Sequence, residues 1–386
     1  MFTDTRIKQF KSIPTPFYYY DVDILKQTLQ KIKAESDKYG FIVHYATKAN
    51  SNSRILEIIR AHGFGADCVS GNEIKKAVEC GFSPNHIVFA GVGKSDEEIN
   101  IALANEIFCF NCESIQEMEV IQELAAAKGK TANIALRINP NVNANTHKYI
   151  TTGLEENKFG INLWELENVI QILKDLPNLK LIGLHFHIGS QITDISSFKT
   201  LCMRINEIQS WFVSHKVSIE HINVGGGWGV DYHEPDKNRF LDYASYFKLY
   251  HDFLELRPDQ KVHFELGRAM VAQCGALISK VLYIKKGVNT NFAILDAGMT
   301  ELMRPALYQA YHKIENITAA QASVLHKYDV VGPICESSDC FGKAVSLPET
   351  SRGDLVALRT AGAYGEVMSN GYNLRDKVKA IYSDEL

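Results

Sequence analysis

The stretch FIVHYATKANSNSRILEIIRAHGFGADCVSGNEIKKAVECG (41–81) holds the architecture of this chain in two repeats. FIVHYA (41–46) and GADCVS (65–70) are short runs that suit strands of a buried parallel sheet. NSRILEIIRAHG (52–63) and GNEIKKAVECG (71–81) carry apolar residues at helical spacing and close on glycine, a favoured helix terminator. Lys48 stands just past the first run and Asp67 at the end of the second. The alternation continues through HIVFAG (86–91), EIFCFN (106–111), NIALRIN (133–139), LIGLHFHIG (181–189), HINVGGG (221–227) and VHFELG (262–267). Strand–helix alternation indicates a parallel α/β architecture, and eight units favour a closed (β/α)8 barrel over an open sheet. A barrel brings the carboxyl ends of its strands to one face, where enzymes of this fold keep their sites. Lys48, Asp67, His187, the glycines 225–227 and Glu265 thereby become one constellation.

After about residue 268 the pattern changes. ALISKVLYIKKG, NFAILDAG, KYDVVGPIC, KAVSL, DLVALRTAG and VKAIY read as strands with short turns, the grammar of an all-β domain. TPFYYYDVD (15–23) is strand-like too and is expected in the same sheet. The division expected is a barrel over 24–268 and a β domain over 1–23 plus 269–386. NPNVNANTHKYITTGLEENKFG (139–160) has no clear element and leaves the end of the fifth strand, so it reads as a substrate-covering loop.

The chain has 386 residues, 46% hydrophobic and 22% charged, the proportions of a globular protein. A net charge of -4 gives no reason to expect nucleic acid as partner. No apolar run is long enough to span a membrane, and MFTDTRIKQF lacks the apolar core of a signal peptide. SDEL (383–386) echoes a retrieval tail, but without a secretory signal it is read as chance. Eight cysteines in a chain of this length read as reduced thiols in a cytoplasm. Cys109 and Cys112 form a CxxC within an apolar run and lack a second pair, so they read as strand residues rather than ligands.

The residues at the strand ends suggest chemistry, and each has a plainer reading. A lysine at a low-dielectric barrel mouth becomes a nucleophilic amine suited to a Schiff base; Lys48 could equally be a solvated loop lysine. Glycines after strand seven let backbone amides approach a phosphate, or simply make a tight turn. Glu265 could face a ring nitrogen and Arg268 a phosphate or carboxylate, or the two could form an ion pair closing the barrel. His187 could stack on a flat cofactor and Ser190 bind phosphate. His185 and His187 share a strand face, which would also allow a metal pair, but no third ligand has an obvious place, and no metal is expected. Cys335 in CESSD (335–339) could be a proton donor or a buried thiol. An amine, a phosphate cradle, an acid and a stacking group are together what pyridoxal phosphate requires.

HYATKAN, GADCVSGNE, THKYITTG with ENKFGI, HFHIGSQ, GGGWG, ELGR, RPALY, CESSD and AGAYGE resemble the motifs of the diaminopimelate decarboxylase branch of the fold-type III pyridoxal-phosphate enzymes. The resemblance runs from about Phe17 to Tyr372. It implies the alanine racemase and ornithine decarboxylase-like fold, and decarboxylation of meso-2,6-diaminopimelate to L-lysine and CO2, the last step of lysine biosynthesis. By the same resemblance Lys48 holds the cofactor, His187 stacks on its ring and Glu265 pairs with the ring nitrogen. Ser190, Gly227, Gly267 and Arg268 hold the phosphate, and Asp67 and Arg137 give support. Arg304 and Tyr308, with Arg268, take the distal carboxylate; Cys335 protonates the carbanion; Glu336 and Tyr364 contact the substrate. The family places Cys335, Glu336 and Tyr364 in the partner subunit's site, which implies a homodimer. Leu266 stands where the family has proline and Ser338 where it has glycine. The rival readings are a related decarboxylase acting on ornithine, lysine, arginine or carboxynorspermidine, a fold-type III racemase, and an inactive regulatory homologue.

Overall fold

The computed structural model describes residues 1–142, 158–319 and 324–386. Most of the loop expected to cover the substrate, including THKYITTG, lies outside them. Strand β1 (Phe17–Tyr20) comes first in the chain. The next eight are β2 (Ile42–Ala46), β3 (Gly65–Cys68), β4 (Ile87–Phe89), β5 (Cys109–Cys112), β6 (Ala132–Arg137), β7 (Leu179–His185), β8 (His221–Asn223) and β9 (Lys261–Leu266). They pair in sequence order, and β9 returns to β2, closing a parallel barrel. Side-chain oxygens cap several of the intervening helices. Ser70 accepts from Glu73 N, Ser114 accepts from Glu117 N, and Ser95 forms a reciprocal capping box with Glu98. The run EIFCFN starts later than expected. Glu106 is the left-handed cap of the preceding helix, at φ +53°, and β5 begins only at Cys109. Cys109 and Cys112 are buried strand residues, and at i, i+3 they point to opposite faces.

Polar side chains meet inside the barrel, beside an apolar cluster of Val88, Cys109, Ala135 and Ile182. Glu265 on β9 accepts from Asn111 on β5, halfway round the barrel, at 3.1 Å. Only inward-pointing side chains can meet in that way. Towards the amino ends of the strands, His44, His263 and His221 form a chain. His44 Nε2 lies 2.9 Å from His263 Nδ1, and His263 Nε2 lies 2.9 Å from His221 Nδ1. The His86 carbonyl stands 3.1 Å from His44 Nδ1 and can only accept, so all three rings carry their hydrogen on Nδ1. Gly65 makes room for this: a Cβ there would lie 2.4 Å from both His44 Nδ1 and the carbonyl. The Phe108 ring stacks on His263 at 5.5 Å and meets His221 edge-on at 5.1 Å.

The remaining strands are β10 (Gly275–Lys286), β11 (Asn291–Leu295), β12 (Ile314–Asn316), β13 (Leu325–Val331), β14 (Cys340–Pro348), β15 (Leu355–Leu358) and β16 (Lys379–Tyr382). They form one sheet in the order β12-β15-β10-β11-β13-β14. As the sequence suggests, β1 joins it, antiparallel to β10 and parallel to β16. Phe10, Phe17, Tyr19, Ala276, Ile278 and Leu355 lie in one core cluster of this sheet.

The chain divides into a β unit (Met1–Thr28, Val230–Leu241, Arg268–Leu386) and a barrel unit (Leu29–Gly229, Asp242–Gly267). The expected boundaries differ from this division over 24–28, at Arg268 and over 230–241. Segment 230–241 is tied to the β unit by several contacts: buried Arg359 binds Asp236 through both terminal nitrogens, at 3.0 and 2.7 Å, Arg268 donates to Tyr232, and Gln273 donates to the Asp231 carbonyl.

Burial lowers His44 to about 4 and His263 well below its ordinary value, with the neighbouring Glu265 opposing both shifts. Below about pH 6.5 the unfolded chain therefore binds protons that the native barrel refuses, and stability falls with pH by up to about 1.4 kcal/mol per unit for each histidine. Asp67, Glu117, Glu301 and Asp339, raised by burial, act in the opposite sense but are outnumbered by the histidines that burial lowers, His187, His221 and His312 among them. The denaturant midpoint should fall steadily from pH 7 to pH 5; a midpoint constant over that range would contradict neutral buried histidines.

Candidate active site

In the barrel unit, Lys48 sits in the turn Thr47–Ala49 directly after β2, and its Nζ donates to Asp67 Oδ2 at 2.9 Å. Asp67 is fully buried, and its Oδ1 finds no partner among the described residues. Burial and then the charge of Glu265 raise its carboxyl, while Lys48 opposes them. The turn is fastened by its neighbours. Thr47 Oγ1 donates to the Asp67 carbonyl at 3.0 Å and to Glu73 Oε2 at 2.7 Å. Glu73 Oε2 also accepts from Val69 N at 2.7 Å. GADCVSGNE is thus a brace that sets Lys48 against Asp67.

Glu265 is the centre of the barrel's polar interior. Its Oε1 accepts from Asn111 Nδ2 at 3.1 Å and Asn223 Nδ2 at 2.7 Å, and its Oε2 lies 2.9 Å from His185 Nε2. Burial would raise this carboxyl, but His185 and Lys48 outweigh it, and the net displacement is downward: Glu265 stays ionised. His185 Nδ1 finds no partner among the described residues. His187, two residues on, accepts from Gly226 N at 3.4 Å. Burial, then the charges of Arg137 and Lys48, hold it well below its ordinary value, so the ring is neutral. Arg137 donates to Glu113 Oε1 at 2.6 Å, and its Cζ lies 4.6 Å from the Phe159 ring centre. Glu113 also accepts from Gly91 N at 3.1 Å and Gly160 N at 3.0 Å.

The glycine run has a steric cause. A Cβ at Gly226 would stand 1.8 Å from the Glu265 carbonyl, and one at Gly227 2.2 Å from the Gly189 carbonyl. Ile192 N donates to the Gly227 carbonyl at 2.9 Å, joining this run to the loop that carries Ser190. These glycines are required by the close approach of backbone to backbone, which is the tight-turn reading. Neutral His187, ionised Glu265, Lys48 on Asp67 and the orphaned buried Oδ1 of Asp67 fit pyridoxal phosphate.

In the β unit, Arg268 follows Gly267 directly and opens a short helix, Arg268–Val271. Its Nη1 donates to Tyr232 Oη at 2.6 Å, and its Cζ lies 4.8 Å from the Tyr364 ring centre. Arg304 opens the helix Arg304–Tyr308, so RPALY is helical where no element was expected. Its Cζ lies 4.8 Å from the Tyr232 ring centre, and its Nη1 donates to His312 Nε2 at 2.7 Å. Both guanidinium groups are buried, and Arg304 pairs with no Asp or Glu among the described residues. In CESSD, Asp339 pins the loop by accepting from Met299 N and Ile334 N, at 2.6 and 2.7 Å. Cys335 is exposed, and exposed Glu336 accepts from Tyr372 Oη at 2.7 Å. Ser338 is exposed, and Leu266 is a buried strand residue opposite Tyr45; neither displaces a charged group.

A family profile described as "Pyridoxal-dependent decarboxylase, pyridoxal binding domain" matches residues 24–272. Barrel and site thus define a pyridoxal-dependent decarboxylase, with pyridoxal phosphate as cofactor. The chain is 59% identical over 381 residues to a diaminopimelate decarboxylase of Bacteroides thetaiotaomicron, covering 98% of each chain. It is 41% identical to one from Helicobacter pylori, over 96% of this chain and 90% of that protein. A crystal structure of the Helicobacter pylori enzyme complexed with L-lysine superposes with a TM-score of 0.92 at 39% identity, covering 98% of this chain and 94% of that one. The chain belongs to the diaminopimelate decarboxylase family.

Sequence reasoning did not name Asn111, Asn223 and His185 as partners of Glu265, Glu113 as the seat of Arg137, or Tyr232 and His312 as the frame of Arg304. The one available signal was parity: Asn111, His185, Asn223 and Glu265 all lie near the carboxyl ends of barrel strands. His185→Phe takes a donor from a buried carboxylate and should destabilise the protein by about 1–3 kcal/mol in urea titration at neutral pH. His185→Gln, which can restore an N–H, should recover most of that. Equal stability of His185→Phe and the parent would disprove the assignment.

Proposed function

We propose that this protein decarboxylates meso-2,6-diaminopimelate to L-lysine and CO2, the last step of lysine biosynthesis. The observation that carries the substrate assignment is Arg304, a buried guanidinium with no carboxylate of its own among the described residues. Burial lowers its affinity for a proton, and the neighbouring Arg268 adds to that. Such a group gains from a carboxylate brought in by the substrate, with bidentate geometry available.

Lys48 would hold the cofactor, and Asp67 is the acceptor that positions its amine. His187 offers a neutral flat ring, Ser190, Gly227, Gly267 and Arg268 take the phosphate, and Arg137 and Tyr364 give support. Bound pyridoxal phosphate supplies an electron sink for the pair left when the α-carboxylate departs as CO2. Glu265, held ionised by His185, Asn111 and Asn223, would favour a proton on the ring nitrogen of the bound cofactor. Arg304 and Tyr308, with Arg268, orient the distal carboxylate. Cys335 delivers a proton to the carbon, with Lys48 the alternative donor. Cys335 and Glu336 serve the partner's site in a cytoplasmic homodimer, whereas Tyr364, expected there too, lies beside Arg268 of its own chain and serves the same site as that arginine; a monomer in sedimentation at working concentration would exclude that arrangement.

Protein loaded with pyridoxal phosphate and given meso-diaminopimelate should release equimolar lysine and CO2, and the absence of both would reject the function. Arg304→Ala should raise KM by about tenfold to a hundredfold, the scale of one charge-assisted hydrogen-bonded contact, while cofactor absorbance is unchanged. An unchanged KM would reject the role of Arg304.

A further inference from the structure

Arg304 is held by two groups of different kinds. The Tyr232 ring, 4.8 Å from Cζ, lies under the guanidinium, and His312 Nε2 accepts from Nη1 at 2.7 Å. His312 Nδ1 lies 2.8 Å from the Arg359 carbonyl, which can only accept. Nδ1 therefore carries the hydrogen, and Nε2 must present its lone pair. The carbonyl is itself held in place. Arg359 N donates to the Lys313 carbonyl at 2.9 Å, and its buried guanidinium is clasped by Asp236 and Glu315. The Tyr232 ring also packs edge-on against the imidazole, with centroids 5.1 Å apart at 79°. One tyrosine and one histidine thus restrict the guanidinium in both tilt and rotation. Burial and then the charge of Arg304 lower His312 to about 3, so it remains an acceptor throughout the neutral range.

The choice of acceptor matters. A carboxylate at this position would orient Arg304 equally well but would cancel its charge. A neutral imidazole orients it and leaves the whole positive charge for an incoming anion. A guanidinium fixed at one terminal nitrogen presents its remaining N–H groups in one direction.

We propose that His312 is a positioning residue for substrate selection: by accepting from Arg304 Nη1 it aims the remaining donors at the substrate's distal carboxylate, and so sets the preference for a substrate carrying one. The inference rests on the assignment of Arg304 to that carboxylate made above.

The test compares His312→Phe, His312→Asn and His312→Gln with Arg304→Ala in the cofactor-loaded enzyme. Glutamine can place an oxygen where Nε2 stands; asparagine reaches only the Nδ1 position, and phenylalanine offers no acceptor. The Phe and Asn variants should raise KM for meso-diaminopimelate by about tenfold to a hundredfold, with kcat little changed, and the Gln variant should stay near the parent. Calorimetric affinity for L-lysine, which keeps the distal carboxylate, should weaken in step. Affinity for 1,5-diaminopentane, which has none, should not change. A parental KM in His312→Phe beside a raised KM in Arg304→Ala overturns the inference alone. Equal weakening of lysine and diaminopentane also overturns it, because that marks a general structural role. An unchanged KM in Arg304→Ala overturns the underlying reading and the inference together. If His312→Phe fails to fold, the Asn and Gln pair decides: a raised KM in both, or in neither, overturns it.

Discussion

A carboxylate sealed inside a barrel must be solvated by the barrel itself, and Glu265 imposes that constraint here. Its oxygens take Asn111, Asn223 and His185 from three other strands. Without them, burial would drive the carboxyl to its neutral form, and it could not hold a proton on a neighbouring ring. The residues around it follow from the same need. Lys48 contributes to keeping Glu265 ionised while it donates to Asp67, and His187 stays neutral among the cations near it. Gly226, just past β8, lets the backbone pass against the Glu265 carbonyl without a side chain between them.

The β unit poses the opposite problem, which is positive charge. Arg268 and Arg304 are both buried, and one side chain serves both: Tyr232 accepts from Arg268 through its hydroxyl and supports Arg304 with its ring. His312 completes the frame as a neutral acceptor. Neither unit cancels the charge its chemistry needs. The barrel keeps an anion alive with neutral amides and an imidazole, and the β unit keeps cations alive with a phenol and an imidazole.

The eight-fold strand rhythm and the reactive residues at strand ends were legible in the sequence, because both follow from local periodicity. Lys48, Asp67, His187 and Glu265 could be placed on one face by topology alone. What supports them could not. Asn111 and Glu265 are separated by more than a hundred residues, and only barrel closure and the register of β5 against β9 make them partners. Residues 230–241 carry no strand or helix signal, and their membership of the β unit depends on distant residues finding them, Arg359 on Asp236 and Arg268 on Tyr232. Strand β12, three residues long, lies below what alternation can reveal. Tyr232 and His312 carry no local signal, because their roles depend on contacts with Arg268 and Arg304 that only the fold makes.

All of this turns on the amine of Lys48, standing beside Asp67 at the carboxyl end of the barrel, being the group that captures pyridoxal phosphate. Borohydride reduction of the cofactor-loaded protein, followed by proteolysis and peptide mass mapping, addresses that directly. The account predicts a phosphopyridoxyl group on one peptide, at Lys48. A group fixed on any other lysine, or none at all in protein that is demonstrably loaded, would contradict it.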